Sequence, residues 1–110
     1  MSVTLMPIAA RIAAALNTTN GHSEHETAMR LLKVTEEAGE VTAAYIGMTG
    51  QNPRKGITHT TADVADELCD VIIAATVALH SFTTTPAADL TAKLDAVARR
   101  LNATTPERTA

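Results

Sequence analysis

Aromatic side chains are almost missing from this chain of 110 residues, which contains one Tyr, one Phe and no Trp. The core must therefore be aliphatic, drawn from the 45% of residues that are hydrophobic. A sequence rich in Ala and poor in aromatics suits close helix packing better than a β-sheet. Because the net charge is −3 and there is no basic stripe, we expect no nucleic-acid partner.

Cysteine is represented by Cys69 alone, which excludes a disulfide within the chain and fits the reducing cytoplasm, where we expect the protein. Residues 1–16 are apolar but lack a charged start followed by a long apolar run, and Arg11 interrupts them, so we do not interpret them as a signal peptide. No uninterrupted apolar span approaches roughly 18 residues, so we expect neither a transmembrane helix nor a membrane partner.

Helical spacing of the apolar residues predicts four α-helices in a single domain over residues 1–110. The first is expected over residues 5–16, before a polar loop that starts at Asn17. Ser23 and Glu26 have the spacing of a capping box, which predicts that the second helix begins there and runs to about residue 46. Its apolar residues lie on more than one side, which is typical of a broadly buried helix.

Thr60 or Thr61, with Asp63 in the first turn, predicts the start of a third helix that runs to about residue 81. Pro86 suits the first turn of a fourth helix. Residues 102–110 are polar and are expected to form a flexible tail. The predicted fold is therefore an all-α four-helix bundle with two long central helices.

Four carboxylates fall into two matched pairs within these apolar central helices. Glu37 and Glu40 are three residues apart on the second helix, and Glu67 and Asp70 are three residues apart on the third. Residues three apart share one face of a helix, so two such faces turned toward each other would form an acidic pocket. Like charges in an apolar setting are unfavourable unless a cation lies among them, and Mg²⁺ is the first candidate.

A solvated acidic helix face is the alternative interpretation, since exposed glutamates at this spacing are common. Two features favour the metal site. Both pairs lie in apolar helices, and the basic partners expected one turn further on are missing, since positions 41, 44, 71 and 74 are Val, Ala, Val and Ala. The residue pattern by itself leaves both interpretations open.

The sequence EEAGE at residues 36–40 is followed, after 67 − 40 − 1 = 26 residues, by ELCD at residues 67–70. This EExxE and ExxD arrangement resembles the motif of the MazG-type all-α nucleoside triphosphate pyrophosphohydrolases, and the resemblance extends over residues 31–79. It implies a MazG-like bundle in which two acidic helices bind Mg²⁺, with Mn²⁺ as a substitute. It also implies hydrolysis of a nucleoside triphosphate between its α and β phosphates, giving a monophosphate and pyrophosphate, in a house-cleaning role.

The resemblance also assigns roles to individual carboxylates. Glu37, Glu40, Glu67 and Asp70 would be the metal ligands, and Glu36 would be the catalytic base that orients water or an outer-sphere residue. An acidic site can accept a triphosphate only through bridging cations. Mg²⁺ suits this task because it accepts a few carboxylates together with phosphate oxygens.

Basic side chains are needed to meet the remaining phosphate charge. Lys33 lies one turn before Glu37 and is a candidate, although a surface lysine is the commoner case. Arg54 and Lys55 lie in the loop between the two acidic helices, which we interpret as a phosphate clamp or lid, with a solvated turn as the alternative. The resemblance adds Lys93 and Arg100 from the last helix, while Val97 occupies the position where the family has an Asn.

Several other residues are expected to be structural. Tyr45 and Phe82 are predicted to lie in the core, and Cys69 is predicted to be a small buried side chain. Gly39 costs about 0.5–1 kcal/mol relative to Ala inside a helix. A close approach of another helix or a ligand would explain why a glycine is present there. His22, His59 and His80 are not spaced like a zinc site, and His25 is expected to be a capping-region or surface residue.

Two alternatives to a general nucleotide pyrophosphohydrolase are kept open. One is an enzyme like phosphoribosyl-ATP pyrophosphohydrolase, which shares the acidic motif. The other is a helical metal- or nucleotide-binding or interaction module without turnover. In either case we expect a homodimer or homotetramer, because one four-helix chain is not expected to bury both apolar faces of its long helices.

Overall fold

The computed structural model describes residues 4–104, and all regular secondary structure within them is helical. The four helices are α1 (Leu5–Asn20), α2 (Glu24–Thr49), α3 (Thr61–Leu79) and α4 (Pro86–Thr104). The all-α prediction is confirmed. Only one central helix is unusually long, since α2 has 26 residues while α3 and α4 have 19 each.

Glycines end the first two helices later than the sequence predicted. The polar residues after Leu16 continue α1 to Asn20, and Gly21 ends it with a positive φ of 77° and a bond from its N–H to the carbonyl of Asn17. In the same way α2 continues to Thr49, and Gly50 closes it with a φ of 66°. Glycine adopts this left-handed conformation without the steric cost of a Cβ atom.

Side-chain caps start α2 and α3. The Ser23 hydroxyl accepts a bond from the N–H of Glu26 at 3.2 Å, but the Glu26 carboxylate turns to Arg30 and the predicted box is half formed. At α3 the box is complete, because Thr60 accepts from the N–H of Asp63 and donates its own N–H to the Asp63 carboxylate. Both arrangements satisfy N–H groups that a helix start leaves unpaired.

The outer ends of the last two helices also differ slightly from the prediction. Helix α3 ends at Leu79 instead of about residue 81. Helix α4 begins at Pro86, as predicted, but continues to Thr104, so the first three residues of the expected tail are helical. The remainder of that tail, residues 105–110, lies outside the described residues.

Helices α2 and α3 form an antiparallel hairpin, and α1 packs on α3. The buried centre of the α1–α3 contact consists of Ala9, Ala13 and Val77, with partly buried aliphatic neighbours at Ile12, Leu16 and Ile73. Small side chains let the two backbones approach closely. Helix α1 thus packs on the α2–α3 pair, which contains both halves of the acidic motif.

Helix α4 makes no contact with another helix comparable to the α2–α3 or α1–α3 packing among the described residues. The radius of gyration is 17.9 Å, whereas a compact chain of this length has about 13 Å. A single chain therefore forms three packed helices and one that stands apart. The closed four-helix bundle stays a prediction. No helix within residues 4–104 is long and apolar enough to cross a membrane.

Three side chains expected inside the protein lie at its surface. Tyr45 and Phe82 are 56% and 60% exposed, so the prediction that both are core residues is wrong for the single chain. Cys69 is also exposed, which contradicts its expected role as a small buried side chain. The physical reason is shared: α2, α3 and the segment before α4 each present apolar surface that no other helix of this chain covers.

Candidate metal centre

Three carboxylates of the acidic motif converge where α2 faces α3. Glu37 from α2 and Glu67 and Asp70 from α3 each place a carboxylate oxygen within 4.8 Å of the others. The α2–α3 packing produces this arrangement, because it turns the face of Glu37 toward the face shared by Glu67 and Asp70. We call these three residues the carboxylate cluster.

The fourth predicted ligand, Glu40, is not among the three oxygens that meet. Its side chain is exposed, although it is close enough for its charge to act on Glu67. Glu36, the predicted base, is also exposed at the rim of the cluster. The structure therefore brings together three of the four predicted ligands and leaves Glu40 and Glu36 beside them.

Electrostatic crowding is strongest at Glu67. Partial burial raises the pKa of the Glu67 carboxyl above its ordinary value of 4.5, and the negative charges of Asp70, Glu40, Glu37 and Asp66 raise that pKa further. Both causes penalise the ionised form, since they remove water and add like charge. A bound cation would relieve this penalty.

Among the ion pairs of the described residues, only those of Lys33 involve a carboxylate of the cluster. The Lys33 ammonium nitrogen lies 2.7 Å from a carboxylate oxygen of Glu36 and 3.0 Å from one of Glu37. Hydrogen bonds to Glu36 and then to Glu37 raise the pKa of Lys33, so it stays protonated. The sequence placed Lys33 near the site as a phosphate contact, and here its ammonium group pairs with the carboxylates.

A cavity of about 380 Å³ opens directly beside the cluster. Glu37, Asp70 and Lys33 form its polar wall, together with Arg30. The rest of the lining is aliphatic and comes from α1 and α3: Ile12, Leu16, Ile73, Ala74 and Val77. A charged wall facing an aliphatic one suits a ligand that has an anionic end and an apolar end.

Arg30 is a residue at this cavity that the sequence interpretation missed. It is 6% exposed, and it donates to the Glu26 carboxylate at 2.9 Å, to the Asn17 side chain at 2.9 Å and to the carbonyl of Gly21 at 3.0 Å. It thereby ties the end of α1 and the following loop to α2. The signal in the sequence was the spacing of Glu26 and Arg30, one turn apart in an apolar helix.

The loop cations lie elsewhere. Asn52 organises the turn, because its side chain accepts from the N–H of Arg54 and its carbonyl accepts from the N–H groups of Lys55 and Gly56. Lys55 lines a separate cavity of about 280 Å³ beside the C-terminal end of α2. From Glu37 to that end of α2 the helix rises about 18 Å, so Arg54 and Lys55 are not brought to the cluster.

The two basic residues predicted from the last helix are also remote. Lys93 and Arg100 are exposed on α4, which does not pack on the α2–α3 pair. Within one chain, then, neither side chain accompanies the carboxylate cluster. In residues 4–104, no histidine belongs to a group of possible metal ligands.

The donor set fits a hard divalent cation. Three carboxylates provide oxygen ligands, the kind that Mg²⁺ and Mn²⁺ prefer, with neither sulfur nor imidazole among them. Burial and, after it, the neighbouring negative charges raise the pKa of Glu67, and a bound cation would offset both effects. Mg²⁺ usually takes one or two carboxylates and keeps several waters, so three side chains are sufficient.

Comparison with protein-family models gives no match, and comparisons with curated proteins and with solved structures give none either. The resemblance to the MazG-type enzymes therefore rests on the acidic motif and its helical setting alone.

Proposed function

We propose that this protein is a Mg²⁺-dependent nucleoside triphosphate pyrophosphohydrolase that acts at the carboxylate cluster. The observation that carries the proposal is the meeting of Glu37 with Glu67 and Asp70. These residues come from two halves of one motif, which are separated by more than twenty residues in the sequence. A metal-dependent hydrolase requires such a group of ligands at the side of a cavity.

The bound cation would neutralise phosphate charge and make its bound water more acidic. Glu37, Glu67 and Asp70 would hold it through oxygen atoms. Glu36, exposed at the rim, would accept a proton from the attacking water once its ion pair with Lys33 opens. Lys33 would then be free to turn away from Glu36 and Glu37 and to bind a phosphate oxygen instead.

The cavity beside the cluster supports a nucleotide as the substrate. Its aliphatic wall, from Ile12 and Leu16 on α1 to Ile73 and Val77 on α3, would receive the nucleoside while the phosphates reach the cluster. No aromatic side chain is among the residues that line it. We therefore propose that the base is held by aliphatic contact and that stacking on Tyr45 or Phe82 plays no part.

The predicted phosphate contacts from α4 require more than one chain. Lys93 and Arg100 are on a helix that stands apart from the cluster, so a second copy would have to supply them. We accordingly propose a homodimer or homotetramer as the active form, with the cytoplasm as its location. This requirement also accommodates Val97 in place of the family's Asn, because a partner can provide further polar contacts.

A pyrophosphate-release assay over a panel of ribo- and deoxynucleoside triphosphates tests the proposal. With Mg²⁺ we expect the wild-type protein to release one pyrophosphate per monophosphate from at least one nucleotide. Glu37→Gln should abolish this release, whereas Glu24→Gln, an exposed glutamate at the start of α2, should retain it. Circular dichroism should show the same helix content in both variants.

A non-catalytic nucleotide-binding module is the second candidate. The ion pair between Lys33 and Glu37 favours it, because that lysine already neutralises part of the cluster. The same assay separates the two functions. Nucleotide binding by calorimetry without pyrophosphate release from any member of the panel would establish the module and refute the hydrolase.

A further inference from the structure

The interior of the single chain is small. Its buried hydrophobic residues are four alanines and a valine, Ala9, Ala13, Ala44, Val77 and Ala78, and no large side chain in the described part is fully buried. The chain exposes 8090 Å², whereas compact monomers of 11.5 kDa expose roughly 5,800 Å². The difference is in the range that each subunit of an obligate homodimer buries.

Helix α4 carries an apolar stripe that is only partly covered, with Leu94 exposed and Leu90 and Val97 partly buried. Leu90, Leu94 and Val97 follow one another at spacings of four and three residues, so they lie on one face. Leu94 is 48% exposed, and no other helix of the chain packs extensively on α4. Lys93 lies about 70° to one side of this stripe, so the stripe has a basic flank.

Helix α2 presents a matching seam. Leu32, Gly39 and Ile46 are seven residues apart and drift by only about 20° per step. Leu32 and Ile46 are 58% and 43% exposed, and a Cβ atom placed on Gly39 would meet nothing within 4 Å. No close approach of the kind expected at Gly39 is therefore made by the described residues of the same chain. Glu36 and Glu40 lie about 60–100° to one side of the seam, which gives it an acidic flank.

We propose that the α4 stripe of one copy packs along the Leu32–Gly39–Ile46 seam of a second copy. The seam is about 21 Å long and the stripe from Leu90 to Val97 is about 10 Å long, so the seam can accommodate the whole stripe. Gly39 allows the partner's helix to approach closely, which accounts for a residue that otherwise only weakens α2. The contact buries exposed apolar surface of one copy against exposed apolar surface of the other.

Charge sets the direction of the contact. Viewed from the N-terminus of each helix, the acidic flank of the α2 seam and the basic flank of the α4 stripe lie on opposite sides. Two helices that face each other and run in the same direction bring opposite flanks together. The parallel arrangement therefore places Lys93 near Glu36 and Glu40 of the other copy, whereas the antiparallel arrangement does not. The charge pairing rests on the proposed function, because Glu36 and Glu40 belong to the acidic motif. The apolar packing does not depend on the proposed activity.

Light scattering after size-exclusion chromatography tests the contact without any activity measurement. We expect the wild-type chain to have at least twice the monomer mass, Leu94→Asp to reduce that mass to one chain, and Ala92→Asp, on the opposite side of α4, to leave it unchanged. Gly39→Leu is the decisive variant, because a Cβ atom at this position meets no atom within 4 Å in the described part of its own chain. It should keep the helical circular dichroism spectrum and lose the assembly.

Two results would overturn the proposal. One is a monomeric wild-type protein at micromolar concentration. The other is an assembly whose mass is unchanged in both Leu94→Asp and Gly39→Leu, since the copies would then meet through other surfaces. Loss of hydrolysis alone bears on neither result, so failure of the interface and failure of the proposed activity are distinguishable.

Discussion

The ammonium nitrogen of Lys33 lies 3.0 Å from a carboxylate oxygen of Glu37, the residue of α2 that meets Glu67 and Asp70. One positive charge thus already occupies the edge of the carboxylate cluster. A divalent cation that binds Glu37 has to compete with this ion pair. The pair is exposed on the lysine side, and exposed ion pairs contribute about 0–1 kcal/mol, so the competition is mild.

Replacing Lys33 by Met should therefore strengthen Mg²⁺ binding by about two- to fivefold, because Glu37 no longer has to release an ammonium group. The same variant should raise the KM for the nucleotide if Lys33 turns to a phosphate oxygen during the reaction. Isothermal titration with Mg²⁺ and steady-state kinetics measure the two effects. Lys55→Met, a lysine in the remote loop, is the matched control and should change neither.

Glu37 and Glu40 differ in the structure although the sequence made them equivalent. Glu37→Gln removes a member of the cluster and should reduce hydrolysis below detection. Glu40→Gln removes only a neighbouring charge, so we expect a loss of about 10–100-fold, as is typical of residues around a metal ligand. Equal losses in kcat/KM for the two variants would mean that Glu40 is a full ligand.

The pH dependence of stability should carry the signature of Glu67. Its pKa is raised in the folded protein, so the folded state binds more protons than the unfolded state between 4.5 and that raised pKa. The free energy of unfolding of the metal-free protein should consequently fall as the pH rises through this interval. Urea titrations of wild type and Glu67→Gln at several pH values isolate the effect, since the variant lacks it.

Mg²⁺ should remove that decline, because the ion stabilises the ionised form of Glu67 only in the folded state. Glu26 and Asp63 have lowered pKa values, for which Arg30 and the Thr60 cap are the leading causes. These two carboxylates affect stability in the opposite direction to Glu67. The free energy of unfolding that they contribute is lost as the pH falls below their ordinary pKa values. An unchanged decline in saturating Mg²⁺ would argue against a cation at the cluster.

Arg30 should be a major contributor to stability. Arg30→Ala removes three hydrogen bonds and leaves the Glu26 carboxylate without its charged partner, so we expect a loss of about 2–4 kcal/mol in the free energy of unfolding. Arg11→Ala, an exposed arginine on α1, should change it by less than about 0.5 kcal/mol. Equal losses in both variants would refute a special role for Arg30.

The local parts of this structure could be predicted from the sequence, and the parts that depend on distance in the chain could not. Thr60 with Asp63, Pro86 and the helical spacing act within one or two turns, and the elements they indicate are present. Glu37, Glu67 and Asp70 were placed together because each helix face was readable and a hairpin brings consecutive helices into contact.

The failures have a common physical cause. Periodicity shows that α4 or the face around Tyr45 is apolar, but it does not show which surface covers that face. Tyr45 and Phe82 were accordingly assigned to a core that the single chain does not build. Lys93 and Arg100 were assigned to a site that their own helix does not approach. Arg30 was missed because two of its partners, Asn17 at the polar end of α1 and Gly21 just after that helix, lie in a segment without apolar periodicity.

The most direct test of the account is to locate the metal ion. A crystal soaked in Mn²⁺, which binds the same oxygen ligands as Mg²⁺ and gives an anomalous signal, would show where the cation binds. We predict an anomalous peak bonded to carboxylate oxygens of Glu37, Glu67 and Asp70, beside the cavity lined by Ile12 and Ile73. Mn²⁺ bound elsewhere, with these three carboxylates free of metal, would contradict it.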